Sequence, residues 1–375
     1  MEIIEKLLQD KNKEVKYKIL QNPNTPVSIL ERFLDDKDDY IKFLITSNPS
    51  FPPNLLEKLS QDKILIVRRG VASNPSTPAE VLAKLAYDKK DWIKKDVAGN
   101  PSTPSKTLEE LADDSFYKIR EMVASNPSTP ENVLEKLVED DLWVKVAVAK
   151  NTNATPELLD KLSLDINEDI KKAVAGNPNT NPKTLERLVE EGFKTLVALN
   201  PSLPSYMLEK LANDKDWWIK EQIAKNPNTP LNIIRELAED EDERVRAGVA
   251  RNPKTPKDIL NKLFQDENIS VRLGVAANPH APIEVLEKLS EEEYYLVRKT
   301  IAENPNTPPS ILTKLSKDKN AKVRAGVAAN NNTPYEVLSK LAEDKSDEVR
   351  LGVAQNPNIT NNNAPQPNKS INPSI

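Results

Sequence analysis

Residues 74–99 read NPSTPAEVLAKLAYDKKDWIKKDVAG. With Asn74 as position 1, Thr77 and Pro78 predict the start of a first helix. Thr is a favoured N-cap, and Pro suits the first helical position because its missing N–H would be unpaired there anyway. Glu80 is placed to complete a capping box with Thr77. Val81, Leu82, Leu85 and Ala86 follow at i, i+1, i+4 and i+5 and make one apolar face. Asp88 ends this helix or opens a turn. Ile93, Val97 and Ala98 then predict a second, shorter helix with its own inward face. Asn100-Pro101 stops it: Asn tolerates a left-handed C-terminal conformation, and Pro cannot continue a helix.

The same unit extends in both directions. Its Asn recurs every 26 residues from Asn22 to Asn356, except for one interval of 25 (Asn126 to Asn151) and one of 23 (Asn177 to Asn200). Each unit is an amphipathic helical hairpin that cannot bury its face alone, so stacked units must share a continuous Leu/Val/Ala core. About thirteen units predict a single all-α solenoid over residues 1–357, with contacts between neighbours only. At about 8–10 Å per helix layer it would be a curved rod of about 100–130 Å. Ala at position 25 (Ala72, Ala98) and Gly at position 23 (Gly70, Gly248, Gly274, Gly326, Gly352) predict close approach of successive second helices. Residues 358–375 are polar and Asn/Pro-rich without apolar periodicity, and are expected to be disordered. At the other end the first unit lacks its Asn-Pro-Thr-Pro lead-in, and Glu2, Glu5 and Lys6 are expected to face solvent as a cap.

Composition agrees with a thin helical core: 38% of the 375 residues are hydrophobic, 30% charged and only 5% aromatic. Most of the 30 prolines are punctuation between units. Without Cys, disulfides, thiolate metal sites and Cys nucleophiles are excluded. No apolar run approaches the roughly 18 residues of a membrane helix, and MEIIEKLLQDKNKE carries no signal-peptide pattern. A soluble cytoplasmic protein is expected. The net charge of −5 gives no global attraction for nucleic acid or anionic lipid.

The pattern VRxxVAxNPxTPxxxLxxLAxD, followed from Val245-Arg246 to Asp266 with Phe264 in place of the usual Ala, closely resembles the leucine-rich repeat variant family. The Asp-x-x-x-x-Val-Arg core (Asp240 to Arg246, Asp266 to Arg272) also resembles HEAT repeats. The resemblance spans roughly residues 1–357. It implies a right-handed, HEAT/ARM-like superhelix without sheet, in which one helix of each pair is short and 3₁₀-like. No common activity or partner comes with it.

Two charged positions recur in every unit. Position 21 is basic and position 15 acidic, as in Asp88 and Lys94, Asp240 and Arg246, Asp266 and Arg272, and Asp318 and Arg324. One reading is a cationic track that matches a polyanion's phosphates. The other is a structural ladder, each acid capping the second helix and pairing with a cation of its own or the next unit. Equal numbers of opposite sign at constant spacing favour the ladder. The repeated Asn forms a second ladder, bonding to its own turn or to the next repeat's loop.

Less regular are the aromatics at positions 18 and 19: Tyr40, Trp92, Tyr117, Trp143, Trp217, Trp218 and Tyr295. Other units place Arg244, Lys322 or Glu348 there, a mixture that no core position tolerates. These rings are either a ridge of binding hot spots or covers over neighbouring turns. Residues 141–199 break the pattern, with Pro156 and Pro182 one place late and several residues lost around Gly192. The stack is expected to bend there. His280 is the only histidine and sits in a variable turn position, which disfavours a Ser-His-Asp triad and excludes multi-His metal sites. No phosphate-loop or dinucleotide motif occurs. The sequence therefore favours a non-catalytic scaffold that takes protein partners, with no cofactor. A nucleic-acid-binding solenoid is the alternative, and an enzyme ranks last.

Overall fold

The computed structural model describes residues 2–360, whose regular elements are all helices, with no strand among them. Most of the tail expected to be disordered lies outside the described residues. The chain divides into two compact units, Val27–Asn252, and Met1–Pro26 with Pro253–Ile375. Each is a stack of helical hairpins.

In Val27–Asn252 the hairpin of residues 79–99 is representative. A seven-residue first helix, Ala79–Leu85, precedes a nine-residue second helix, Asp91–Gly99. Both are α-helical, so the 3₁₀ character implied by the resemblance is absent from this pair. Val81, Leu82, Leu85 and Ala86 are buried on one side, and Ile93, Val97 and Ala98 on the other. Each such aliphatic side chain contributes about 1.5–3 kcal/mol of burial. Successive second helices pack on one another, whereas first helices pack on the second helices of their own and of the preceding hairpin. Position 23 shows why that layer is tight: a Cβ at Gly248 would lie 2.9 Å from the Glu221 carbonyl oxygen.

Thr77 does not cap the first helix, and the expected capping box with Glu80 is not made. Pro78 is the N-cap, and the Thr77 hydroxyl instead donates to the Val71 carbonyl at the end of the preceding helix, 2.6 Å away. Pro78 decides this. Its φ of −57° and ψ of 142° place the non-helical boundary on the proline itself, so the helix opens one residue later than expected. Where the proline comes one place late, the polar residue before it does cap. Thr155 accepts from the Leu158 N–H and Asn181 from the Thr184 N–H.

Asn100 is extended (φ −76°, ψ 123°) rather than left-handed. It ends the helix by side-chain bonding. Its Nδ2 donates to the carbonyls of Ala72 and Asn74 in the preceding repeat, at 2.7 and 2.8 Å. Its Oδ1 accepts from the Ser102 N–H at 2.9 Å. The Ser102 hydroxyl reaches back to the Pro75 carbonyl at 2.7 Å. Asn74, Asn126, Asn177 and Asn252 repeat the double donation, and all are buried. Buried backbone carbonyls need such partners, and here one amide per repeat supplies them.

The short repeat is closed without an ordinary loop. Helix Pro182–Leu188 meets helix Lys194–Ala198 across a kinked turn, Val189–Phe193. Gly192 takes φ 95°, which a side chain would strain.

The second unit holds a composite hairpin. Helices Glu2–Leu7 and Lys13–Gln21 stack after helix Asp347–Gln355, the last long helix of the described chain. The lead-in turn that they lack comes from Pro357–Thr360, a 3₁₀ turn packed against Glu2–Leu7 with Ile359 buried. Asn22 then donates to the carbonyls of Ala354 and Asn356, at 2.9 and 3.0 Å, and Asn24 to that of Pro357 at 2.9 Å. These are the bonds that Asn100 and Ser102 make to their preceding repeat. Two expectations are corrected. Contacts are not confined to neighbours in sequence. Residues 358–360 are structured. Glu2 and Lys6 are exposed as expected, while Ile3, Ile4 and Leu7 of the same helix are buried and Lys6 pairs with Glu343.

Candidate partner-binding surface

The position-21 cations form their ion pairs with the acid of the next repeat. Arg68 Nε lies 2.9 Å from Asp88, Lys94 Nζ 2.6 Å from Asp114, and Lys220 Nζ 2.8 Å from Asp240. In the other unit Arg272 meets Glu292 at 2.9 Å, Arg298 meets Asp318 at 2.6 Å, and Arg324 meets Asp344 at 2.6 Å. Asp10 of the composite hairpin takes the same place for Arg350, 2.5 Å away. Even the repeat that lost its loop keeps its rung, Lys171 to Glu191 at 2.5 Å.

Arginine does more than lysine at this position. Its fork also donates to the backbone carbonyl of its own acid, from Arg324 to Asp318 and from Arg246 to Asp240, at 2.8 and 2.9 Å. The acid does not cap the second helix directly. Its carboxylate accepts the backbone N–H two residues on, as Asp88 does from Lys90 and Asp266 from Asn268, both at 2.9 Å. Direct capping belongs to position 17, where Asp216, Asp242 and Asn320 accept from the following helix. Hydrogen bonds from Arg120 and Arg324 hold the carboxyls of Asp140 and Asp344 below the ordinary aspartate value, against the opposing pull of burial.

The ladder cation also gives a register for the aromatics. Tyr40, Trp92, Trp143 and Trp218 stand two residues before it; Tyr117, Trp217 and Tyr295 stand three before it. The structure separates the two sets. The first four are 43%, 57%, 52% and 40% exposed. The other three lie on the ladder edge and are half-buried. The Arg244 guanidinium sits 3.4 Å from the Trp217 ring centroid, and Tyr117 and Tyr295 lie against Phe116 and Tyr294. Counting from the repeat Asn merges the sets, because the 25-residue repeat shifts Trp143 by one. Counting back from the cation would have parted them.

Within Val27–Asn252 the exposed rings share their helix face with the residues one, two and five places after the cation. Around Trp92 these are Lys95 and Asp96, with Arg69 of the preceding helix bridging to Asp96 at 2.8 Å. Arg69 and Lys95 both approach the Trp92 ring, at 5.8 and 5.5 Å from its centroid. Val146 and Glu221 on this face are buried. Away from it, Tyr87 is exposed and donates its hydroxyl to Glu110, a pair that sequence reasoning missed.

The grooves elsewhere are shallow. One of about 440 Å³ is lined by Asp113, Asp114, Arg120, Lys136, Glu139 and Asp140; another of about 770 Å³ lies around Glu292, Arg298 and Asp318. Both are floored by ladder pairs. His280 is exposed. Among the described residues no group of three or more His, Asp or Glu side chains could hold a metal ion, and no helix is long and apolar enough to cross a membrane.

Residues 67–89 match the model of the leucine rich repeat variant family. No curated protein matches the chain. The solved structure of a leucine-rich repeat variant with a novel repetitive structural motif is 22% identical, over 58% of this chain and 87% of that one, at a TM-score of 0.37. An engineered protein is 18% identical over 94% of this chain and 97% of its own, at 0.23. Kap121p bound to Pho4p is 12% identical over 94% of this chain and 52% of its own, at 0.30. Over residues 67–89 the repeat is similar to the leucine-rich repeat variant, and the Asn-Pro unit to which those residues belong recurs along the chain.

Proposed function

We propose that the chain is a non-catalytic scaffold that holds a protein partner on the second helices of Val27–Asn252. The observation that carries this reading is the register of Tyr40, Trp92, Trp143 and Trp218, four large rings that stay exposed on one helix position. Exposed Trp and Tyr on a rigid frame are the residue types that dominate binding energy at interfaces. Against nucleic acid, the basic ladder is neutralised rung by rung by carboxylates of the next repeat.

The test is affinity capture from a cell lysate, with and without nuclease, comparing wild type with Trp92→Ala/Trp143→Ala/Trp218→Ala. A protein recovered after nuclease treatment and lost with the triple variant is the expected result. Nuclease-sensitive recovery of nucleic acid, indifferent to the Trp substitutions, would overturn it.

A further inference from the structure

The scaffold reading leaves the chemistry of the partner open, and the charges around the rings bear on it. Between residues 39 and 150 the ring-bearing face carries Arg69, Lys95, Lys118 and Lys150 as cations and Asp96 and Glu121 as acids. Arg69 and Asp96 neutralise each other at 2.8 Å. Among the described residues, Lys95, Lys118 and Lys150 have no carboxylate in ion-pair range, which leaves three cations against Glu121. This face is locally positive on a chain whose net charge is −5. The rings alternate with it: Tyr40, Trp92 and Trp143 occur on every second hairpin, with Ile66 and Lys118 at the same register between them.

We propose that this face binds an extended acidic peptide segment whose apolar side chains lie against Tyr40, Trp92 and Trp143; this deepens the scaffold reading and rests on it. Packed helices stand about 8–10 Å apart, so rings on alternate hairpins are about 16–20 Å apart. An extended chain advances about 3.3–3.6 Å per residue, which sets the partner's apolar side chains five or six residues apart. Its acidic residues meet Lys95, Lys118 and Lys150 between the rings. A single-stranded nucleic acid would also offer stacking groups, but its charge density fits poorly. It carries a phosphate on every nucleotide, more charge across the span from Tyr40 to Trp143 than three cations can answer.

The test is selection from a phage-displayed library of random 16-residue peptides, long enough to reach three rings. It is run on wild type, on Trp92→Ala/Trp143→Ala and on Lys95→Glu/Lys118→Glu, with and without a dT16 oligonucleotide as competitor. Wild type is expected to enrich Asp and Glu, with aromatic or aliphatic residues five to six apart. The Trp variant should lose that spacing and about tenfold or more in affinity for the selected peptides. The Lys variant should shift the selection toward Lys and Arg.

Thermal unfolding of each variant checks that these surface changes leave the fold intact, and Lys118→Glu alone repeats the charge test on an exposed site. Neutral or basic winners, no enrichment at all, winners unaffected by either variant, or displacement by dT16 would each overturn the acidic-segment proposal. If lysate capture still shows a Trp-dependent protein partner, the scaffold reading survives that failure.

Discussion

Replacing Asn100 by alanine removes two donated bonds and one accepted bond from a site that is 2% exposed. The carbonyls of Ala72 and Asn74 then lose a partner where water cannot readily replace it. Leaving buried groups unsatisfied costs about 1–3 kcal/mol each, so Asn100→Ala should destabilise its unit by about 3 kcal/mol in urea denaturation. A loss below about 1 kcal/mol would mean that water enters and takes over the bonds. The ladder itself was legible in the sequence, since one amide returned in every repeat. Its direction was not, because donation to the preceding or the following turn depends on how hairpins stack. Thr77 was misread for a related reason. Capping forward and bonding backward both lie within a threonine's repertoire, and the proline after it decides between them.

At the scale of the helix, two glycines of the same stack should respond oppositely to alanine. A Cβ at Gly176 would meet nothing within 4 Å, so Gly176→Ala should gain up to about 1 kcal/mol from helix propensity. Gly248→Ala would press its methyl against the Glu221 carbonyl and the Ala224 side chain, and should lose about 1–3 kcal/mol as the second helices are pushed apart. Paired melting curves settle both; equal signs would contradict the packing described. The hairpins were legible because their apolar spacing repeats so often. The division of the aromatics was obscured by the 25-residue repeat, which put Trp143 out of step with Trp92 and Trp218 until the ladder cation supplied the register.

At the scale of the compact unit that includes residues 253–360, stability depends on both ends of the described chain. Asp10 and Asn22 do for helix Asp347–Gln355 what any succeeding repeat does for its predecessor. The double variant Asp10→Ala/Asn22→Ala should therefore lower amide protection in Asp347–Gln355 by about tenfold or more in hydrogen exchange, while helices Asp91–Gly99 and Tyr117–Ser125 keep theirs. Unchanged protection in Asp347–Gln355 would refute the composite hairpin. Periodicity could not have announced it. Each repeat offers its neighbours nearly the same groups, so the pattern shows what a successor must provide without naming which segment provides it.

The repeated Asn-Pro pair also bears on how the protein ages. An asparagine side chain deamidates when the backbone nitrogen of the following residue attacks it to form a succinimide. Proline nitrogen carries no hydrogen and cannot close that ring. Along the ladder only Asn151, followed by Thr152, and Asn330, followed by Asn331, keep the route open. At every other rung the succinimide route to aspartate, which would set a carboxylate against buried carbonyls, is closed by the proline that follows.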